Sequence, residues 1–266
     1  MKLVTVLKAA EICSIDILAL QEVRRKGRSG IITLTDESTR GWQIAWSGHK
    51  REMEHGVAIL CAPHVKFEEE SEHMPARILS GRFTVKGMKM TVLNAYAPTN
   101  TNVAETSKAT FYRELSRAKT ELNVHSKYKL VTLDDLNATI GLDSKESGAW
   151  DSVLGHNYSD RVETNNNGER LLLWCARNHM VLANTMFRSK RVHRETWMHP
   201  RFKQWKRIDY ICTTKWAMKF VRSCRVFIGP SALFDTDHRL LVMDIEFPST
   251  KQALRNPSIS LQLKSA

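Results

Sequence analysis

The sequence has few cysteines and no run of eighteen or more apolar residues. Its 266 residues include five cysteines, an odd number with no Cys-x-x-Cys spacing. Most of them lie in apolar runs, which predicts buried thiols rather than zinc ligands or a disulfide framework. The absence of a long apolar run argues against a membrane-spanning helix, and the first residues lack the pattern of a secretory signal. We therefore expect an intracellular protein with no membrane partner and no structural metal.

The sequence also lacks a glycine-rich phosphate-binding loop, an internal repeat and a coiled-coil heptad run. Without such a loop, nucleotide binding by a P-loop or a Rossmann crevice is disfavoured, and we expect no small-molecule cofactor. Nothing in the sequence predicts the oligomeric state.

Positive charge is abundant. The chain carries 40 basic against 28 acidic residues, a formal net charge of +12, which favours a polyanionic partner such as nucleic acid or an anionic membrane surface. Basic and aromatic residues alternate between positions 188 and 207, as suits phosphate contact and base stacking. The alternative is that these aromatics belong to the core and the charges to a solvated face. The candidate nucleic-acid-binding residues are Arg188, Lys190, Arg191, Arg194, Trp197, Lys203, Trp205 and Lys206.

Apolar periodicity predicts mostly strands in the first third of the chain, at 15–20, 42–46, 56–61, 78–85 and 89–96. After it, Thr106 suits the N-cap of a helix in which Phe111, Leu115, Ala118 and Leu122 recur at helical spacing, and further helices are spread among strands. This pattern favours an α/β fold in which two sheets pack face to face with helices outside. Residues 141–168 are polar and read as an extended surface loop. We expect one domain over residues 1–247 and a loose C-terminal tail over 248–266, since the tail is rich in Ser, Lys and Pro.

Polar peptides lie at the edges of five predicted strands: three directly follow a strand, and two stand at the edge of an apolar, strand-like run. Five such strand ends in one chain predict a single converging site. The peptides are Leu20-Gln21-Glu22, Asn94-Ala95-Tyr96-Ala97-Pro98, Asp135-Leu136-Asn137, Arg207-Ile208-Asp209-Tyr210 and Asp237-His238.

The order of these peptides resembles that of the endonuclease/exonuclease/phosphatase family, over about residues 15–247. Asn167-Gly168-Glu169-Arg170 and Thr196-Trp197 look like the non-LTR retrotransposon branch and its host-retained, craniofacial development protein 2-like relatives. The resemblance implies a four-layered α/β sandwich, two mixed β-sheets flanked by helices. It also implies Mg²⁺-dependent phosphodiester hydrolysis, most simply as a DNA endonuclease of retroelement type, and a nuclear location if the substrate is DNA.

The resemblance also assigns roles to the strand-end residues. Glu22 and Asp237 are the expected metal ligands, since Mg²⁺ takes one or two protein carboxylates and Mn²⁺ can replace it. Asp209 would orient the His238 ring, which holds or polarises the scissile phosphate. Asp135 would orient or deprotonate the attacking water, and Asn137 would donate its amide to a phosphate oxygen. Tyr96 would supply a phenol to the same phosphate or to the transition state. The expected catalytic residues are thus Tyr96, Asp135, Asn137, Asp209 and His238.

The sequence departs from the family pattern in two places. The family usually begins with a strand that carries a metal-holding Asn, and this chain opens at the following helix, so we expect the fold to lack its first strand. Asp134 stands where the family usually has Gly before Asp-x-Asn. An extra carboxylate there would raise the pKa of Asp135 or distort the metal site.

Two other functions stay open, and the departures motivate the first of them. The first is a catalytically inactive nucleic-acid or chromatin-associated binding protein on the same scaffold. The second is a phosphatase for small phosphate esters or inositol lipids, which the basic segment disfavours.

Overall fold

The computed structural model describes residues 3–100, 105–123, 129–146, 148–156, 158, 160–229, 236–246 and, for the backbone, 258–265. The helices are α1 (Leu3–Ile12), α2 (Glu105–Asn123), α3 (Leu142–Glu146), α4 (Asn166–Arg177), α5 (Ala183–Met186) and α6 (Lys215–Met218), with a short 3₁₀ helix at Arg191–His193. The strands are β1 (Ile17–Gln21), β2 (Ile32–Thr33), β3 (Gln43–Ser47), β4 (Val57–Cys61), β5 (Lys66–Met74), β6 (Ile78–Val85), β7 (Met88–Tyr96), β8 (Lys129–Asp135), β9 (Met180–Leu182), β10 (Trp197–Met198), β11 (Trp205–Lys206), β12 (Asp209–Thr214), β13 (Val221–Phe227), β14 (Leu240–Glu246) and β15 (Ser258–Ser265).

Two mixed sheets contain most of these strands. The first sheet has the order β13-β14-β15-β1-β4-β3-β2, and the second has the order β5-β6-β7-β8-β12-β9. β10 and β11 form a separate two-stranded hairpin. In each sheet one pair is parallel, β1 with β15 and β7 with β8, and the other pairs are antiparallel.

The inner faces of the two sheets share one apolar cluster, to which α1 adds Val6 and Leu7. A second cluster joins the outer face of the second sheet to α2 and α4, through residues such as Phe111 and Leu171. Burying these faces supplies most of the driving force for folding. The layers are therefore helix, sheet, sheet and helix, which confirms the predicted four-layered α/β sandwich.

Side-chain alternation along β8 decides which residues reach the space between the sheets. Val131 and Leu133 belong to the inner cluster, whereas Leu130 belongs to the outer one. Because successive side chains of a strand point to opposite faces, Asp135 follows the inner set and Asp134 the outer set. The adjacent carboxylates of Asp134 and Asp135 thus lie on opposite faces of the second sheet.

The predicted loose tail is wrong for residues 258–265. This segment forms β15, which lies inside the first sheet, parallel to β1 and antiparallel to β14. A strand between two others gains hydrogen bonds on both edges, which outweighs a tail composition rich in Ser and Lys. β15 is the third of the seven strands in this sheet and so holds a central place in it. Residues 248–257 and 266 lie outside the described part.

Two smaller differences concern the middle of the chain. Residues 141–168, predicted as an extended loop, contain α3 and the start of α4, and they bury Val153, Leu154 and Tyr158. Strand β5 escaped prediction because its sequence, Lys-Phe-Glu-Glu-Glu-Ser-Glu-His-Met, is mostly polar or charged. Of the helices described, none is both long and apolar enough to cross a bilayer.

A proline in the middle of β15 tests the central position of that strand. In Leu261→Pro the N–H group is lost and a ladder hydrogen bond with it, so we expect the free energy of unfolding to fall by roughly 2 kcal/mol more than in Leu261→Ala. Urea unfolding measures the difference, and amide exchange in β1 and β14 should quicken in the proline variant alone. Equal stability of the two variants would contradict the pairing.

Asp134 gives a second prediction about stability. The carboxyl is fully buried, accepts hydrogen bonds from the Ala95 amide (3.1 Å) and the Thr132 hydroxyl, and has a pKa raised well above its usual value, mainly by burial. A carboxyl that is protonated when folded and ionised when unfolded costs stability as pH rises above about 4. Asp134→Asn should therefore raise Tm at pH 8 by at least roughly 2–4 °C, and by less at pH 4. Equal gains at both pH values would show that the carboxyl is not protonated in the native state.

Candidate active site

Three of the predicted catalytic side chains lie in one row across three neighbouring strands. Tyr96 of β7 is paired with Asp135 of β8, and Asp135 is paired with Asp209 of β12. All three are buried, with at most 4% of each residue exposed. Because each is the last or first residue of its strand on the inner face, the row lies at one end of the space between the sheets.

His238 joins this row from the other sheet's side. Its Nδ1 lies 3.1 Å from Asp209 Oδ2, and the ring is buried. Burial disfavours the imidazolium, yet the nearby carboxylates, above all Asp209, raise the pKa of His238 to about 9. A protonated His238 donates Nδ1–H to Asp209 and keeps Nε2–H for another acceptor.

The environment of Asp135 disfavours the charged form of this side chain, whereas that of His238 favours the charged form. Burial, together with the negative charge of Asp209, raises the pKa of Asp135 to about 7. The Asn137 amide donates to Asp135 Oδ1 over 3.1 Å and opposes this rise. A carboxylate with a pKa near neutrality is suited to accept a proton from a nucleophile.

Glu22 lies next to Tyr96. The Tyr96 hydroxyl donates to Glu22 Oε1 over 2.5 Å, and Arg24 Nη2 lies 3.1 Å from Oε2. Burial opposes the charge of Glu22, but these two donors prevail and lower its pKa. The pKa of Tyr96 is raised by burial and by Asp135, so its phenol remains a hydrogen-bond donor. The Arg77 guanidinium covers the Tyr96 ring at 4.7 Å and fixes it from the other side.

A buried amide pair places Glu22 opposite Tyr96. Gln21 Nε2 donates to Asn94 Oδ1 over 2.6 Å, and Asn94 Nδ2 donates to the carbonyls of Leu20 (2.9 Å) and Ala58 (2.8 Å). These bonds connect the inner faces of the two sheets. Glu22 follows Gln21 with a φ of 55°, a left-handed conformation that turns the chain out of β1.

Hydrogen bonds to neighbouring loops hold both the backbone and the side chain of Asn137. Its backbone is also left-handed, with a φ of 49°, and Nδ2 donates to the Ala97 carbonyl over 3.0 Å. Its own carbonyl accepts from Asn100 (2.5 Å) and Asn165 (3.0 Å). In this arrangement Asn137 ties three loops together beside Asp135, and the predicted contact with a phosphate oxygen would use a side chain already bonded at Nδ2.

Asp237, predicted to bind metal, accepts a hydrogen bond from the Trp197 indole. The Trp197 Nε1 to Asp237 Oδ2 distance is 2.8 Å, and Trp197 also forms a backbone bridge with His238. Asp237 contributes to the raised pKa of His238, which places its charge at the same site. Asp237 and His238 thus lie next to each other, with the hairpin β10–β11 beside them.

Among the described residues, one group of acidic and imidazole side chains could hold a metal ion: Asp135, Asp209 and His238, whose candidate ligand atoms lie within 4.8 Å of one another. Asp209 Oδ1 is buried, and no donor from the described part of the chain reaches it. A buried carboxylate oxygen without a donor, close to a second carboxylate, fits a divalent cation. The predicted ligands Glu22 and Asp237 are outside this group, and both already accept hydrogen bonds.

The predicted nucleic-acid-binding residues lie around the hairpin and the segment before it. Arg188, Lys190, Arg191 and Lys203 are exposed, whereas Arg194, Trp197, Trp205 and Lys206 are partly buried. At the hairpin tip His199 packs on Phe202, whose side chain is 62% exposed, and Arg201 covers the Phe202 ring. At the hairpin base the Arg239 guanidinium lies 3.3 Å from the Trp205 ring centroid. Cationic and flat groups therefore occupy the surface beside His238.

The expected distortion by Asp134 is not observed. Its carboxyl lies on the outer face of β8, where it accepts from the Ala95 amide and lies 3.9 Å from the Cys212 thiol. The main causes of the raised pKa of Asp135 are burial and Asp209, both independent of Asp134.

Several residues that hold the site were not predicted in that role. Thr196 Oγ1 accepts from the amides of Ile208 (3.1 Å) and Asp209 (3.2 Å), and Asn184 Nδ2 donates to the Asp209 carbonyl over 3.1 Å. Arg77 donates to the carbonyls of Tyr96 and Ala97, both at 3.3 Å. The polar motifs around Thr196 and Asn184 were visible in the sequence, whereas nothing near Arg77 signals its contact.

Sequence comparison finds relatives of this chain, although no protein-family model matches it. Craniofacial development protein 2 of Bos taurus is 29% identical over 244 residues, and that of Tragulus javanicus is 28% identical over 232 residues. The aligned regions cover 91% and 86% of this chain. The chain spans only 38% and 37% of those relatives' lengths, so it corresponds to a part of them.

Solved structures with the same fold include nucleases. The endonuclease domain of TRAS1, a telomere-specific non-LTR retrotransposon, superposes with a TM-score of 0.59 at 14% identity, over 92% of both chains. An AP endonuclease from Archaeoglobus fulgidus gives 0.62 at 20% identity, over 90% of this chain and 92% of its own. The 3'-5' exonuclease NExo from Neisseria meningitidis gives 0.59 at 19% identity, over 91% and 94%. These likenesses confirm the fold of the endonuclease/exonuclease/phosphatase enzymes and the resemblance predicted from the motifs.

The amide pair between the sheets gives a prediction about stability. In Asn94→Asp a carboxylate oxygen replaces the Nδ2 group and faces two carbonyl oxygens in a fully buried position, so we expect a loss of about 3 kcal/mol or more in the free energy of unfolding. The matched control is Asn178→Asp, which alters a half-buried amide bonded to the Trp174 carbonyl at a helix end, and should cost less than about 1 kcal/mol. Similar losses in urea unfolding would show that the pair does not hold the sheets together.

Proposed function

We propose that this chain, which has the fold of endonuclease/exonuclease/phosphatase enzymes, is a Mg²⁺-dependent phosphodiesterase and acts as a DNA endonuclease of retroelement type. The observation that carries the proposal is the row of Tyr96, Asp135 and Asp209 with His238 held 3.1 Å from Asp209. This group brings together a proton acceptor (Asp135), a cation (His238) and a phenol donor (Tyr96) at one buried end of the space between the sheets. A phosphodiester needs these three functions together.

Each residue of the row has a definite task in hydrolysis. His238, held as an imidazolium by Asp209, donates Nε2–H to a non-bridging oxygen of the scissile phosphate and stabilises the charge that develops there. Asp135, with its raised pKa, takes the proton of the attacking water. Tyr96 donates its hydroxyl to Glu22 at rest and can turn the same proton towards the phosphate.

Magnesium, or manganese in its place, would neutralise the phosphate and stabilise the leaving oxygen. Asp209 Oδ1 is the buried carboxylate oxygen that would hold it, while Asp135 keeps its carboxylate for the proton of the attacking water. His238 interacts electrostatically with both Glu22 and Asp237, the further ligands expected from the sequence. A site for a negatively charged phosphate can contain several carboxylates if they serve as metal ligands. Their negative charge then requires a bound cation to balance it.

DNA is the substrate we propose, and a nuclear location follows from it. The formal charge of +12 and the exposed basic and aromatic hairpin beside His238 support a polyanion. One structural neighbour, the 3' phosphatase NExo from Neisseria, is bound to a product DNA hairpin. This complex supports DNA as the substrate that we propose here.

A second function, nucleic-acid binding without catalysis, is favoured by one feature of the site. Both oxygens of Glu22 already accept hydrogen bonds, from Tyr96 and Arg24, and Asp237 Oδ2 accepts from Trp197. A scaffold that had lost its metal would keep such internal pairs. The two functions differ in their dependence on Mg²⁺.

Nicking of supercoiled plasmid distinguishes the two functions. We expect nicking with Mg²⁺ and none with EDTA, and a loss of at least about 10³-fold in Asp209→Asn, since His238 then loses the carboxylate that keeps it protonated. Asp134→Asn is the matched control: it makes the same change of side chain in a buried carboxyl of the same sheet, on the outer face, and should leave nicking unchanged.

The outcome that overturns catalysis is plain. If the wild type nicks plasmid no more than Asp209→Asn or the EDTA control at any Mg²⁺ concentration, yet both proteins bind DNA with the same salt-sensitive affinity, the binding function replaces the enzyme. The assay is repeated with Mn²⁺ in place of Mg²⁺, which shows whether a lack of nicking is due to the choice of ion.

A further inference from the structure

A cavity of about 260 Å³ lies beside the active site, outside the row that would carry the chemistry. Its walls come from the segment Asp160–Val162, the region around the 3₁₀ helix and strand β11. It is separated from His238 by a single strand: Trp197 pairs with Lys206 on one side and bridges His238 on the other. Two strand spacings are about 10 Å, so the cavity is near the catalytic histidine but distinct from it.

The walls of this cavity are strongly cationic. Two acidic side chains, Asp160 and Glu195, oppose five basic ones, which leaves an excess of three positive charges. The basic residues are Arg161, Arg191, Arg194, Lys206 and Arg207. A concave surface with this excess concentrates anions.

The innermost cation is built into the fold rather than carried on a mobile surface chain. Only 2% of the Arg207 side chain is exposed, and its Nε lies 3.2 Å from Asp160 Oδ2. It also donates to the carbonyls of Arg194 and Asn184, both at 3.3 Å, and covers the Tyr158 ring. Asp160 is shared with Arg194, whose Nη1 lies 3.4 Å from the other carboxylate oxygen. One carboxylate therefore orients two guanidinium groups and balances half of their charge.

The size of the cavity fits a phosphate group together with part of its sugar. Its volume corresponds to roughly eight water molecules, more than an isolated phosphate requires. Guanidinium groups held in fixed orientations bind phosphate oxygens through paired N–H donors. Trp205, which also lines the cavity, adds an aromatic wall next to the cations.

We infer that this cavity is a second phosphate subsite, which binds a backbone phosphodiester of the same nucleic-acid strand that is cut at the active site. The inference rests on the proposed function and refines its substrate class. About 10 Å corresponds to the axial length of about three nucleotides in one strand, so the substrate is an oligonucleotide or longer, not a mononucleotide or a small phosphate ester. The cavity sets the register in which the strand passes His238.

Binding of a fluorescent twelve-nucleotide DNA to the full chain tests the subsite, with anisotropy as the readout. All measurements use the Asp209→Asn background, so that no turnover occurs. The test variant is Arg161→Gln with Lys206→Gln, which removes two cations from the cavity but keeps the buried Arg207 and its partners. The control is Arg40→Gln with Lys66→Gln, which removes the same charge at two exposed positions away from the cavity.

The subsite predicts a change in salt dependence as well as in affinity. In the test variant the slope of log Kd against log salt should fall by up to about two, and Kd should rise on the order of tenfold at 0.1 M salt. The control variant should keep the slope of the parent. A dinucleotide, too short to reach from His238 to the cavity, should bind the test variant and the parent equally.

Two outcomes overturn the inference: equal slopes in test and control variants, or an equal loss of dinucleotide and twelve-nucleotide binding in the test variant. Thermal unfolding checks that both double variants are folded. Failure of the proposed function is separate, since a protein that binds through the cavity but never nicks plasmid in the native background would retain the slope change while losing the enzyme.

Discussion

The hydrogen bond between the Gln21 and Asn94 side chains is the contact on which the arrangement of the site depends. Both amides are fully buried between the sheets, where an unpaired amide costs about 1–3 kcal/mol. A shift of either strand by one residue would move its amide to the wrong face, so the pair fixes the register of one sheet over the other. Glu22 follows one amide and Tyr96 lies two residues beyond the other. Their contact across the site is a consequence of that register.

The sequence was sufficient to predict that these side chains come together, because each lies at the edge of an apolar strand. It was not sufficient to predict their faces. Every residue of β8 from Leu130 to Asp135 is buried, so no polar alternation shows which carboxylate points inward. The packing of helices on one face and a sheet on the other decides it, and this depends on residues far away in the chain. The pairings that place Arg77 on Tyr96 and Asp160 between two arginines are likewise invisible locally.

The elements of the fold also divide into those that the local sequence predicts and those that it does not. Most strands of the sandwich were predicted because their apolar runs are four to eight residues long, and α2 because Phe111, Leu115 and Leu122 recur at helical spacing. β10 and β11 have two residues each, too few for any periodic pattern. β15 is different: Ile259, Leu261 and Leu263 alternate with polar residues, a strand signal that the surrounding Ser, Lys and Pro content obscured.

The hydrogen bonds that occupy Glu22 and Asp237 are compatible with a working metal site, because they differ in how easily they are given up. The Arg24 side chain is 67% exposed, and an exposed ion pair of this kind contributes about 0–1 kcal/mol. The bond from Tyr96, whose ring is buried under Arg77, is held by packing as well as by charge. Glu22 Oε2 is thus the oxygen that a cation can take at little cost, while Oε1 stays with the phenol. Among the described residues the same division holds at Asp237, where the Trp197 indole donates to Oδ2. A site that can accept a cation without breaking its buried contacts supports the proposed hydrolysis over the proposed binding function.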